Sequence, residues 1–241
     1  MVDDLSSQEI FRRVVDADRS INSYELTIVR ATDRAGRKSE VVGRQIRVGN
    51  DYYRLFPSAA QSSRERLDYK GREYLRDSPD GLWRAPDDVG RGVMAEVMET
   101  GTPADWDETL YSPSYAMDFN RFRNAERLSD EVLAGRAAIR LSISETSEIP
   151  GWDLGEVEKH LPPMTPDNRL RFREMLGEQL AKQPDRQTLR RSFWIDAETF
   201  ALVQVVLEGS SYRAGELVES FIETHTYSRI NEAELPGPLP D

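Results

Sequence analysis

The chain has 241 residues, with 32 basic against 43 acidic side chains for a net charge of −11, and no cysteine. This excludes disulfides, thiolate chemistry and cysteine-ligated zinc, and it disfavours a nucleic-acid surface, which needs clustered positive charge. No run approaches the roughly 20 apolar residues of a membrane-spanning helix, and the start at Met1-Val2-Asp3-Asp4 has no signal-peptide core.

In chain order, residues 6–19 read as a helix. Ser6 and Glu9 have capping-box spacing, Leu5 and Ile10 suit a hydrophobic staple, and Ile10, Phe11, Val14 and Val15 recur on one face. From Ser23 the period becomes two, and Tyr24, Leu26 and Ile28 alternate with polar residues. Strand-like segments follow at 40–48, 51–56, 64–70, 72–77 and 82–84, with turn signals at Gly49-Asn50-Asp51, Gly71 and Pro79-Asp80-Gly81, a meander of antiparallel neighbours. A helix is expected after Asp88, with Val93, Met94, Val97 and Met98 on one face and Gly101 at its end.

Strands return at 126–132 and 138–145 around Ala134-Gly135. A proline-bearing insertion with Trp152 leads to a helix over 166–182. Strands at 188–196, 201–208 and 213–225 close the pattern, with turns at Ala197-Glu198-Thr199 and Ser210-Ser211. The tail from about 232 to 241 carries Pro236, Pro238 and Pro240 and cannot enter a sheet interior. The order predicts one α+β domain over 1–241, an antiparallel sheet with helices gathered on one face.

Four stretches, in this order, resemble the lipoprotein-carrier superfamily typified by LolA and LolB, and more closely its cell-envelope lipoprotein branch typified by LppX and LprG. They are Ser23-Tyr24-Glu25-Leu26-Thr27, the run Glu126 to Gly135 leading into Ile139-Arg140-Leu141, Phe193-Trp194-Ile195-Asp196-Ala197-Glu198-Thr199-Phe200, and Tyr227-Ser228-Arg229-Ile230-Asn231-Glu232. The resemblance implies a curved, unclosed β-barrel with helices over its concave face and an apolar cavity for acyl chains. It also implies a location outside the cytoplasm, with a lipid anchor or membrane-surface contact in the native protein.

The residues selected by alternation as cavity lining are Tyr24, Leu26, Ile28, Leu67, Tyr69, Ile139, Leu141, Ile143, Phe193, Ile195, Val203 and Val205, joined by the helix residues Met94 and Met98. The same positions also suit a close-packed core. Flexible thioethers at Met94, Met98, Met164 and Met175 suit ligands of variable shape or gap-filling inside a core. Trp106 and Trp152 fall in loop-like segments, where an amphipathic ring suits a cavity mouth or a membrane surface; Trp83 and Trp194 read as structural.

Catalytic candidates are few. His160 and His225 are the only histidines and neither neighbours a nucleophile motif. The acidic groups at Asp87-Asp88 and Asp105-Trp106-Asp107-Glu108 lack calcium-loop spacing, and Gly90-Arg91-Gly92 lacks the preceding strand of a nucleotide fingerprint. The expectation is therefore a non-enzymatic carrier of a lipid or acylated ligand, with no metal and no cofactor. A sensor acting through a protein partner and a purely structural envelope protein are the alternatives.

Overall fold

The computed structural model describes residues 5–56, 64–76, 78, 81–85, 125–149, 165–180 and 183–240. The expected helix after Asp88, with Met94 and Met98, lies outside them, as do Trp106, Trp152, His160 and Met164. The elements are α1 (Ser7–Asp18), β1 (Ser23–Arg34), β2 (Arg37–Val48), β3 (Asp51–Phe56), β4 (Arg64–Tyr69), β5 (Arg72–Arg76), β6 (Glu126–Arg127), β7 (Glu131–Leu133), β8 (Arg136–Glu148), α2 (Pro166–Leu180), β9 (Arg186–Asp196), β10 (Leu202–Arg213) and β11 (Glu216–Ser228).

All eleven strands join one antiparallel sheet in the order β5-β4-β3-β2-β1-β11-β10-β9-β8-β6, with β7 also paired to β8. The two ends of this order do not pair, so the sheet is not closed into a barrel. Most sequence neighbours pair as hairpins across short turns, while β8 pairs with β9 although α2 lies between them in the chain, and β6 pairs with β8 instead of β7. The pairing of longest range is β1 with β11, which unites the two ends of the chain from Glu25↔Ser228 to Arg34↔Glu219. Asn231 secures this junction. Its side chain accepts from the Asn22 amide at 2.7 Å, and its own amide donates to the Ser23 carbonyl at 2.7 Å.

Four hairpins use one device, a residue and a glycine that both have positive φ: Ala35-Gly36, Lys70-Gly71, Ala134-Gly135 and Ala214-Gly215. Such pairs match the twist of the flanking strands. The expected turn at Ser210-Ser211 is thereby corrected, because both serines lie inside β10 and the chain reverses at Ala214-Gly215. Tyr212 and Leu217 pair just short of that turn across a register shift.

The α1 helix forms as its caps predict. Ser6 accepts from the Glu9 amide at 3.3 Å, and Ile10, Phe11, Val14 and Val15 are all buried. Leu5 packs against the same core, as a staple residue should. The other helix differs, since Leu170 and Met175 on α2 are 58% and 51% exposed.

Candidate functional site: the two faces of the sheet

Directly paired residues share a sheet face, so the registers sort every predicted lining residue. Leu26 pairs with Tyr227, Ile28 with His225, Val205 with His225 and Phe193, and Leu141 with Phe193. Tyr24, Leu26, Ile28, Ile139, Leu141, Ile143, Phe193, Ile195 and Val205 thus occupy one face, and with Ile10, Phe11 and Val14 of α1 they form one buried cluster. Phe11 meets Phe193 edge to face at 5.5 Å between ring centres, and Tyr24 meets Tyr227 at the same separation. Leu26, Ile139, Leu141 and Ile195 are fully enclosed at 0% exposure. Under α1, then, this face is close-packed. A small void of about 10 Å³ lies beside the last turn of the helix, among Val14, Asp18, Ile21, Tyr24, Leu202, Tyr227 and Ile230.

Three predicted positions fall elsewhere. Leu67 pairs with Tyr53, Tyr53 with Ile46, and Ile46 with Glu25, which sets Leu67 and Tyr69 on the face opposite Leu26. There they belong to a second cluster of Ile46, Tyr53, Leu67 and Ala233, flanked by Tyr69, Tyr74, Trp83 and Leu235. Alternation selects the apolar side of each strand but carries no information about which side two strands share. Val203 is the extra residue of a bulge, where Leu202 pairs with Ile195 and Gln204 with Trp194. The bulge resets the alternation, so Leu202 and Leu207 take the buried places and Val203 is only half-buried.

The α1 face is divided. Its apolar half covers β1, β11, β10, β9 and β8. Its other half, on β2 to β5, presents Arg47, Gln45, Tyr52, Arg54, Asp68, Arg66 and Glu73, as the pairings Tyr24↔Arg47, Arg47↔Tyr52, Gln45↔Arg54 and Arg54↔Arg66 require. Arg47 lies over the Tyr24 ring at 5.9 Å, Arg54 reaches Asp68 at 3.8 Å, and Arg66 reaches Glu73 at 3.2 Å.

Charge also crosses the apolar half. His225 Nε2 is 2.6 Å from a Glu223 carboxylate oxygen, Arg30 approaches Glu223 at 3.7 Å, and Arg191 donates to Glu145 at 2.8 Å. In the next row Phe221 lies over Gly209, where any Cβ would meet its ring within 2.1 Å, and the Arg30 guanidinium stacks on that ring at 4.6 Å. Leu189, which also pairs with Gly209, and Phe221 are only partly buried.

Two of the sequence stretches acquire structural reasons. Asp196 accepts from the Glu198 and Thr199 amides at 3.0 and 2.8 Å, fixing the β9–β10 turn. Burial pushes its carboxyl upward, but these Thr199 and Glu198 bonds, with Arg136 nearby, hold it below the usual range. Glu131 accepts from Trp194 Nε1 at 3.0 Å and from Arg140 at 2.6 Å, and the Trp194 bond first and Arg140 second lower its pKa.

With the geometry described, the chain can be set beside known proteins. No family model matches the sequence, and no curated protein does. The chain is similar to solved lipoprotein and LolA-superfamily structures. LprF from Mycobacterium bovis superposes with a TM-score of 0.46 at 13% identity, covering 96% of both chains. The lipoprotein LppX from Mycobacterium tuberculosis gives 0.41 at 11%, over 96% of this chain and 98% of that one. A LolA-superfamily protein from Nitrosomonas europaea gives 0.29 at 11%, over 96% of both. No site residue is carried over from these structures.

Burial has one measurable consequence for the sheet's tyrosines. It pushes the hydroxyls of Tyr24 and Tyr53 up to about 12 and raises that of Tyr227 as well. A phenol with a raised folded pKa holds its proton while the unfolded chain releases it near pH 10. Its stabilisation is therefore complete below about pH 10 and is lost as pH rises through about 12. Each of the three should cost about 1.4 kcal/mol per pH unit in that window. The urea midpoint should fall steeply from pH 10 to 11.5, and Tyr24→Phe should shallow the decline by about a third; an unchanged slope would place Tyr24 in contact with water.

Proposed function

We propose that this chain binds a lipid or other acylated ligand and carries or presents it outside the cytoplasm without covalent chemistry. The proposal takes residues 1–241 as one unit. The observation that carries it is the apolar half of the α1 face. It runs over five adjacent strands of an unclosed sheet, close-packed under α1 and only partly buried at Leu189 and Phe221. Surface of this kind is what an acyl chain needs, since each methylene withdrawn from water is worth about 0.8 kcal/mol. Leu189 pairs with Glu145, and Arg30 stacks on Phe221, so tail and polar head each meet their own chemistry there.

The described residues supply little for catalysis. No group of three or more His, Asp and Glu among them could hold a metal ion, and His225 is committed to Glu223. No described helix is long and apolar enough to cross a membrane. The extracytoplasmic location in the proposal comes from the resemblance seen in the sequence.

The test is saturable binding of a fluorescent fatty-acid probe to protein stripped of co-purified lipid, with displacement by phospholipid. The carrier reading predicts both. Saturable probe binding that no diacyl lipid displaces would contradict it, and absence of any saturable binding would leave a structural role in front.

A further inference from the structure

The second apolar cluster sits on the face away from α1, and the chain's own end covers it. After the Ala233 amide has donated to Ser23 Oγ at 3.1 Å, Ala233 and Leu235 pack with Ile46, Tyr53 and Leu67. The tail then runs through Pro236, Gly237 and Pro238, and Trp83 Nε1 donates to the Pro238 carbonyl at 3.0 Å. The indole is held for this contact from three sides. Tyr53 meets it edge to face at 6.4 Å, the Arg76 guanidinium stacks on it at 4.3 Å, and paired bonds between Leu75 and Arg84 at 2.9 and 3.0 Å fix the backbone beside it.

An aromatic cluster with an indole N–H aimed at a carbonyl is chemistry that suits a proline-rich peptide. Proline fixes φ and has no N–H of its own, so such a segment is stiff and keeps its carbonyls free to accept. We infer that the cluster of Trp83, Tyr53 and Arg76 is a binding site for a proline-rich segment of a partner protein, occupied in the isolated chain by its own residues 235–240. The occupant is loosely covered, with Gly237, Pro238 and Leu239 all exposed. Tethering gives the tail an effective concentration in the millimolar range, so a partner must displace it or bind when it is released. This inference stands apart from the lipid reading, because the cluster lies on the other face of the sheet.

The test uses the full chain and a fluorescein-labelled peptide of residues 234–241, read by anisotropy. A chain carrying Leu235→Ser, Pro236→Ser and Pro238→Ser in its own tail should bind the peptide at least about tenfold more tightly than the unaltered chain. Adding Trp83→Phe, which keeps a ring but removes the donor, should abolish that gain. Equal binding by the first two chains, or binding that survives Trp83→Phe, would overturn the inference. A second measurement does not depend on the tail variant folding. Trp83→Phe in the otherwise unaltered chain should lower the heteronuclear NOE of the Gly237 and Leu239 amides as the tail loosens, and an unchanged NOE there would also overturn it.

Discussion

Phe11→Ala is expected to cost about 3–5 kcal/mol of folding stability, the usual range for removing a fully buried aromatic ring. Phe11 is 0% exposed and is the residue through which α1 seats on the sheet, edge to face with Phe193. The helix has twelve residues, and so short a helix gains its stability mainly from packing rather than from propensity. Truncation therefore removes ring burial, leaves a void between Phe193 and the neighbouring strands, and loosens the cover of the apolar half. Urea unfolding with an unchanged slope and a lower midpoint is the expected record. A loss under about 1 kcal/mol would mean that α1 does not close this face.

The second large effect concerns Glu65 and Arg76. They pair across β4 and β5 with both side chains 3% exposed, and Arg76 also supports Trp83. Arg76→Met is expected to cost about 3–5 kcal/mol, because it strands the Glu65 carboxylate away from water. The double change Arg76→Met with Glu65→Leu should recover most of that loss, since an apolar pair of similar volume avoids the desolvation of two charges. A double variant as unstable as the single one would show that the cost lies in the Trp83 stacking instead of the stranded charge.

Local structure was legible in the sequence wherever one short segment decides it. Ser6 with the apolar spacing of Ile10, Phe11, Val14 and Val15 specifies α1, and Ala134-Gly135 and Ala197-Glu198-Thr199 mark hairpins that form. Relations between strands were not legible. Tyr24, Leu26, Leu67 and Tyr69 all satisfy alternation, yet the registers divide them between two faces, each with its own cover, α1 on one and the proline tail on the other. The bulge at Val203 is equally silent, because one extra residue leaves the apolar run Leu202-Val203-Gln204-Val205-Val206-Leu207 readable in either phase. The buried Glu65–Arg76 pair also escapes a hydropathy reading, which assigns both residues to the surface. A sequence signal for the second cover did exist. Three prolines in a six-residue tail containing Leu235 and Leu239 suit a stiff apolar segment docked on aromatics.

The central claim, that the chain holds a lipid without transforming it, is tested most directly by native mass spectrometry of the protein purified from its own host without detergent. The account predicts a population heavier than the polypeptide by the mass of one amphiphile, released intact by collisional activation and regained on incubation with lipid. A bare polypeptide mass that remains bare after such incubation, in protein that melts cooperatively, would contradict it.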